Sequence, residues 1–266
     1  MNKALQSVRA RAVKIADALF PGTMYALRIR RKEKEPEIRL LPALCRPDRV
    51  SLDVGANKGV YVWHLRPVSK RVIAFEPLPQ LLDLLRARYG ESITLEGIVL
   101  SDREGQSVLR YPKGNYAWAT VAESNSLAMA AGTCIESVTV QMRTLDSFAL
   151  TNIGFIKIDV EGHEEAVLSG GIRTIRQERP NLLIEIEERH SPQSLQRIHA
   201  VLGTHGYLGY YLDGSKILPL SNFDMARDQP LANISEKGKT GKYINNFMFF
   251  PQETAPAVVE AASAYL

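Results

Sequence analysis

Three short stretches of this chain gather residues whose types and spacing could do chemistry. In Phe155-Ile156-Lys157-Ile158-Asp159-Val160-Glu161-Gly162-His163-Glu164 an apolar run gives way to Asp159, Glu161, His163 and Glu164. Residues two apart in a strand share a face, so Asp159 and Glu161 can point into one cleft, where carboxylates orient a hydroxyl or take its proton. His163 titrates in the range of a general base, and it is equally placed to cap a following helix. The second stretch is Asp53-Val54-Gly55-Ala56-Asn57-Lys58-Gly59, a small-residue turn after the apolar run Val50 to Val54. Such a turn lets a ligand approach the backbone, and a helix N-terminus beyond it favours negative charge. The third is Val72-Ile73-Ala74-Phe75, which ends in Glu76-Pro77. A carboxylate at the tip of a second strand is placed to accept hydrogen bonds from ribose hydroxyls.

Positioning these residues needs strands that end on one edge. Strand patterns at 50–54, 71–75, 92–100, 154–159 and 181–187 alternate with helix patterns at 58–65, 78–88, 163–177 and 192–203. That rhythm predicts parallel βαβ units. Pro36 to Arg46 reads as a helix before the first strand, and Ser107 to Tyr111 as a hairpin-like strand. Tyr207 to Leu212 and Tyr243 to Phe250 would close the sheet, with the polar loop Ser221 to Gly241 between them. A connection that long is usually functional or mobile. The insert Pro112 to Glu136 breaks the rhythm and carries Asn115, Tyr116, Trp118 and Thr120. These could line a substrate pocket or serve as packing anchors. Trp63 and His64 read as packing residues.

The ligand follows from what the turn lacks. A dinucleotide fingerprint needs a second glycine where this chain has Asn57. That disfavours an NAD(P)-dependent oxidoreductase. The turn opens with acidic Asp53, which suits a cation better than a diphosphate, and S-adenosylmethionine carries a sulfonium and an ammonium. Asp53, Gly55, Ala56, Asn57 and Gly59 are then expected to hold its methionine part and Glu76 its ribose. Gly55 and Gly59 would be needed because a side chain there fills cofactor volume or forces a strained φ.

At this point the chain resembles the FkbM family of S-adenosylmethionine-dependent methyltransferases. The matching pieces are DVGANKG (53–59), FEPLP (75–79), VLSDREG (99–105), RTLDSF (143–148), IKIDVEGHEEAVLSGG (156–171) and NNFMFF (245–250), which cover roughly residues 48–250. The resemblance implies a Rossmann-like α/β fold: a mostly parallel seven-stranded sheet with an antiparallel last strand and helices on both faces. It implies methyl transfer, most often to oxygen, on a sugar, glycan or polyketide-like acceptor. It also places Ser101 and Asp102 near the adenine, although Asp102 is equally a turn former beside Arg103. The catalytic candidates are Asp159, Glu161 and His163. Asp159 and Glu185 could offer oxygen ligands to a divalent metal, in a spacing that is not diagnostic. Transfer to nitrogen stays open, but no proline–aromatic pair follows Asp159 to stack a flipped base, so a nucleic-acid substrate is not expected.

Composition sets the outer bounds. The 266 residues suit one α/β domain, expected over 36–250, with an N-terminal helical extension at 1–35 and a tail at 251–266. Two cysteines, Cys45 and Cys134, show no metal-ligand spacing and suit a reducing, cytoplasmic setting. No run reaches the length of a membrane span, and the N-terminus lacks the pattern of a secretory signal. Arg28, Arg30, Arg31, Lys32 and Lys34 form a basic cluster that could touch an anionic membrane, or form a solvated face balanced by Glu33, Glu35 and Glu37. A net charge of +4 spread along the chain leaves no footprint for nucleic acid.

Overall fold

The computed structural model describes residues 35–130, 132–235 and 238–266. The expected N-terminal extension, apart from Glu35, and its basic cluster lie outside the described residues.

A turn of 3-10 helix at Pro36–Leu40 runs into α1 (Leu41–Leu44), which leads to β1 (Val50–Val54). Next come α2 (Val60–Leu65), β2 (Arg71–Phe75), α3 (Pro79–Tyr89), β3 (Thr94–Glu96), β4 (Val99–Leu100), β5 (Gly105–Pro112), β6 (Ile135–Arg143) and β7 (Ile153–Ile158). The second half holds α4 (Glu164–Gly170), α5 (Ile172–Glu178), β8 (Asn181–Glu185), α6 (Ser194–Thr204), β9 (Tyr207–Asp213) and β10 (Lys216–Pro219). It ends with α7 (Met225–Asp228), β11 (Ile234–Ser235), β12 (Gly238–Lys239), β13 (Asn246–Pro251) and α8 (Ala255–Ser263).

The main sheet has the order β10-β9-β13-β8-β7-β1-β2-β3. β1, β2, β3, β7 and β8 run parallel, and β13 is antiparallel to both β8 and β9. The expected architecture holds, with eight strands in place of seven. The extra one is β10, paired antiparallel to β9 across a tight turn in which Gly214 takes φ 62°. Gly214-Ser215 is a two-residue hairpin loop of the Gly-Ser type, a local signal for this extra strand. Strand order reverses at β1, so the crevice beyond the carboxyl ends of β1 and β7 is the natural ligand position.

Each face of the sheet carries its own core. Leu52, Phe75, Ile156, Ile184 and Phe247 pack under α4, α5 and α6 on one side. Phe155, Leu183, Met248 and Phe250 pack under α1, α2, α3 and α8 on the other. Each such fully buried side chain stabilises the fold by about 1.5–3 kcal/mol. Alternation along β1 and β7 puts Asp53 and Lys157, register partners on adjacent strands, on the second face.

Three local expectations change. The predicted strand 92–100 is broken: β3 pairs with β2, and β4 leaves the main sheet to pair with β6. β6 also pairs antiparallel with β5 along its length, forming a second sheet with β4. Its buried Val140 and Met142 alternate with exposed Thr139 and Gln141, a period-2 signal missed in the linear reading. The predicted helix 163–177 is two helices with a break at Gly170-Gly171. A Cβ on Gly170 would sit 1.9 Å from the Ser101 carbonyl oxygen, so the helix passes that turn with no room for a side chain. Residues 251–266 fold back as α8 against α1 and the β13–β10 end of the sheet.

Candidate active site

The turn after β1 is tied to β2 by its own backbone. The amides of Gly55 and Ala56 both donate to the Phe75 carbonyl, at 3.0 and 3.1 Å, and the Asn57 amide donates to Glu76 Oε2 at 2.8 Å. Glu76 Oε1 accepts from the Leu78 amide at 2.9 Å, so backbone donors fix the carboxylate at the β2 tip. Burial, partly opposed by these two bonds, pushes its pKa up to about 7.

Both glycines take the positive φ that was expected to require them, and their neighbours add a second reason. A Cβ on Gly55 (φ 85°) would lie 1.9 Å from the Asp159 carbonyl oxygen, which belongs to the neighbouring strand end. One on Gly59 (φ 77°) would lie 2.7 Å from Leu85 and 2.8 Å from Tyr89 on α3. Gly59 lines neither ligand cleft, and Tyr89 Oη donates to its carbonyl at 2.7 Å. Both are glycines of the fold first.

Two clefts open beside this turn. The first, about 600 Å³, lies between Glu76-Pro77, the apolar wall Ile98-Val99-Leu100, and Tyr116, Ala119 and Val121 of the insert. The second, about 1840 Å³, gathers the charged side chains of Asp53, Lys157, Asp159, Glu185, Glu187 and Arg189. Gly55, Asn57, Ala117, Asp159 and Glu161 line both.

Asp159 and Glu161, predicted to share a cleft, do so. Glu161 is held in a left-handed conformation (φ 53°) by the insert: Thr120 Oγ1 and Asn125 Nδ2 donate to its carbonyl at 2.8 and 2.9 Å. Backbone strain sustained by surrounding bonds is common where a side chain must be aimed. Burial, then the charges of Asp159 and Glu187, holds the Glu161 carboxyl well above its usual pKa. Glu164 has a structural task, accepting from the Gly162 and Val160 amides at 3.0 and 3.3 Å and closing the turn.

His163 lines the first cleft and not the second, with Nε2 3.0 Å from Ser101 Oγ. Burial lowers its pKa, so the ring is neutral near pH 7. It shares the first cleft with Asp159 and Glu161 and does not reach the Lys157, Glu185 and Glu187 side of the second. Ser101 and Asp102 do not line the first cleft; Ser101 backs His163, and Asp102 is exposed beside Arg103.

Lys157 is fully buried, and its ammonium reaches Asn246 Oδ1 at 3.2 Å, Asp159 Oδ2 at 3.9 Å and Glu185 Oε2 at 4.0 Å. Burial alone would lower its pKa, yet Asp159, Glu185, Glu35 and Asp53 together hold it above the ordinary lysine value. A cation thus already stands between the two carboxylates proposed as metal ligands. Among the described residues no group of three or more acidic, His or Cys side chains is arranged around a metal position. Asp159 and Glu185 do not fit the metal role.

Several cleft residues escaped the sequence reading. Glu187 accepts from Tyr243 Oη and Asn245 Nδ2, both at 3.0 Å, and pairs with Arg189. Burial would raise its pKa, but the Arg189 bond and charge bring it below the usual value. His190 Nε2 lies 3.2 Å from Glu161 Oε2. Asn245 and Asn246 were visible only as part of the NNFMFF block, and nothing local marked them as cleft residues.

With this geometry in hand, residues 53–209 match the methyltransferase FkbM domain, and the chain belongs to that family of methyltransferases. It is 39% identical over 82 residues to the AMB antimetabolite synthetase AmbE of Pseudomonas aeruginosa, across 29% of this chain and 4% of that protein. It is also similar to the solved FkbM methyltransferase of Methylobacillus flagellatus KT, with TM-score 0.50 and 16% identity, covering 77% of this chain and 44% of that one. A methyltransferase structure from Streptococcus mutans in complex with SAH is similar at TM-score 0.45 and 10% identity, over 82% of this chain and 98% of that one. The chain thus spans a small part of the synthetase and under half of the Methylobacillus protein. Membership in this family replaces the oxidoreductase alternative. Among the described residues no helix is long and apolar enough to cross a membrane.

Proposed function

We propose that the protein transfers a methyl group from S-adenosylmethionine to a hydroxyl of a small-molecule or glycan acceptor. The observation that carries this reading is the junction: Gly55, Asn57, Ala117, Asp159 and Glu161 border both clefts, so a donor in one and an acceptor in the other meet there. The residues fit such a donor. Asp53 Oδ2 and Asn57 Oδ1 are buried without a hydrogen-bond partner, which suits a ligand bringing an ammonium and polar groups to the turn. Glu76 is placed for the ribose and Ile98 to Leu100 for the adenine. When bound, S-adenosylmethionine supplies a methyl carbon activated by its sulfonium.

The chain must then align the acceptor and take its proton. Glu161 receives that proton, because it faces both clefts and has a carboxylate oxygen with no hydrogen bond. Asp159, beside the Lys157 ammonium, orients the acceptor. Calorimetric titration with S-adenosylmethionine, and with NAD as control, tests the donor assignment. Binding of NAD alone would overturn it. A screen of hydroxylated acceptors with methyl-labelled donor tests the oxygen assignment, and label found only on amines would move the reaction to nitrogen.

A further inference from the structure

A third cavity, of about 720 Å³, opens beyond Glu161. Trp118, Leu127 and Met129 of the insert form one side, and Leu231 and Ile234 of the segment after α7 form the other. Among the described residues, Glu161 alone lines this cavity and both clefts. The insert wall is built rather than draped. Arg110 Nη2 donates to the carbonyls of Ala122 and Asn125 at 2.6 and 3.0 Å, and the Leu127 amide donates to Asn125 Oδ1 at 3.1 Å. Leu127 is thereby held at φ 54°, a second strained non-glycine position beside Glu161.

The chemistry of this cavity is lopsided. Glu161 Oε2 is buried and accepts no hydrogen bond; His190 Nε2, 3.2 Å away, is not aligned to donate one. Burial, then the Arg189 charge, lowers the His190 pKa to about 4, so the ring carries no charge near neutral pH. A buried acceptor oxygen without a donor is matched by a ligand O–H or N–H. Arg189 already gives Nε to Glu187, and its Nη1 lies 3.1 Å from Met129 Sδ. An anionic ligand would therefore meet the unpartnered oxygen of Glu161, while the nearest guanidinium is already committed to Glu187. Opposite these groups the wall is apolar, and Leu231 at 60% exposure marks its outer rim.

We infer that this cavity holds the body of the methyl acceptor, and that the acceptor is an uncharged, hydroxyl-bearing molecule with an apolar flank. Phosphorylated and carboxylated sugars are excluded. The inference rests on the proposed meeting of the acceptor with Glu161. The reacting hydroxyl reaches the orphan oxygen of Glu161, and the apolar flank lies against Trp118, Leu127 and Ile234.

The test uses three matched probes on the full chain: phenyl β-D-glucoside, phenyl β-D-glucuronide and methyl β-D-glucoside. The two tryptophans are Trp63 and Trp118, so a Trp63→Phe background leaves Trp118 as the reporter. Phenyl glucoside should shift Trp118 fluorescence, with the glucuronide and the methyl glucoside each at least ~10-fold weaker, a difference of about 1.4 kcal/mol. Ala128→Trp, which fills the cavity, should abolish phenyl glucoside binding while S-adenosylmethionine affinity stays within about twofold. If that variant does not fold, Leu231→Arg at the rim should weaken the same probe and spare the cofactor. Equal affinity for the glucuronide overturns the charge argument, and equal affinity for the methyl glucoside overturns the apolar flank. No response to any of the three overturns the site. Failure of S-adenosylmethionine to bind the unmodified chain would instead count against the donor assignment.

Discussion

The first and second clefts share a border and are built in opposite ways. The first draws on the ends of β1, β2 and β7, on Ile98-Val99-Leu100 and on the insert, and local backbone amides saturate its Glu76 carboxylate. The second draws on the C-terminal halves of β1, β7 and β8, the insert, and the asparagines at the start of β13, and its Asp53 and Glu161 each keep a buried oxygen without a hydrogen bond. A site fixed by local backbone can serve a constant ligand. A site assembled from distant segments can be altered one segment at a time, which suits the side that must differ between acceptors.

The largest expected effect lies on the border itself. Glu161→Gln should cut methyl transfer to any accepted substrate by roughly 10²–10⁴-fold, the usual loss on removing a general base. Cofactor affinity measured by calorimetry should change less than about twofold. A variant that keeps full turnover would return the base to another carboxylate of the second cleft. His163→Gln should leave turnover within about tenfold, because its ring faces the first cleft and Ser101.

Gly55→Val comes next and probes the scaffold both clefts share. The added side chain must displace the Asp159 carbonyl and sit at φ 85°. Overpacking together with a left-handed β-branched residue should destabilise the fold by about 3–5 kcal/mol. Denaturant unfolding reads this directly. Unchanged stability with lost cofactor binding would restore the simpler view that the glycine serves the ligand alone.

A smaller loss is expected from Glu76→Ala: about 1.5–3 kcal/mol of cofactor affinity, the range for hydrogen bonds to a charged group. That variant also releases the Asn57 and Leu78 amides, so Glu76→Gln is the sharper comparison. Unchanged affinity in both would remove the ribose from this strand tip.

The two clefts also differed in how much the linear sequence revealed. β1, β2, β7 and their turns were legible because apolar runs, small-residue turns and terminal carboxylates are all local signals. Lys157, a charge inside an apolar strand, finds its partners in carboxylates of its own strand end and of β8. Glu187, Arg189, His190 and Asn245 were illegible as a set, since sheet pairing and loop packing join them over dozens of residues. Ser101 and Asp102 show the converse. The family resemblance suggested ligand contact for them, but β4 turns away to pair with β6, and Ser101 stands behind His163. Local order predicts where a strand ends and not which sheet it joins.

The smallest effect separates the clefts by charge. Burial pushes Glu76, in the first cleft, and Asp53, in the second, up to about 7. A carboxyl raised on folding favours the folded state at low pH, and this contribution fades as pH rises from its ordinary value through about 7. The ligand-free protein should therefore lose thermal stability between pH 5 and pH 8. Ligand binding runs the other way, because a cation or a ribose hydroxyl needs the ionised carboxylate. If one group near 7 must ionise first, affinity for S-adenosylmethionine should fall about tenfold from pH 8 to pH 6, or roughly 1.4 kcal/mol. S-adenosylhomocysteine keeps the ribose and lacks the sulfonium charge, so calorimetry with both ligands divides the effect. An equal fall for the two places the controlling proton on a carboxylate that meets a group both ligands carry, Glu76 at the ribose or Asp53 at the ammonium, whereas a steeper fall for the sulfonium ligand places it on Asp159 or Glu161, where the two clefts meet. A flat profile for both would mean that neither carboxylate holds the cofactor.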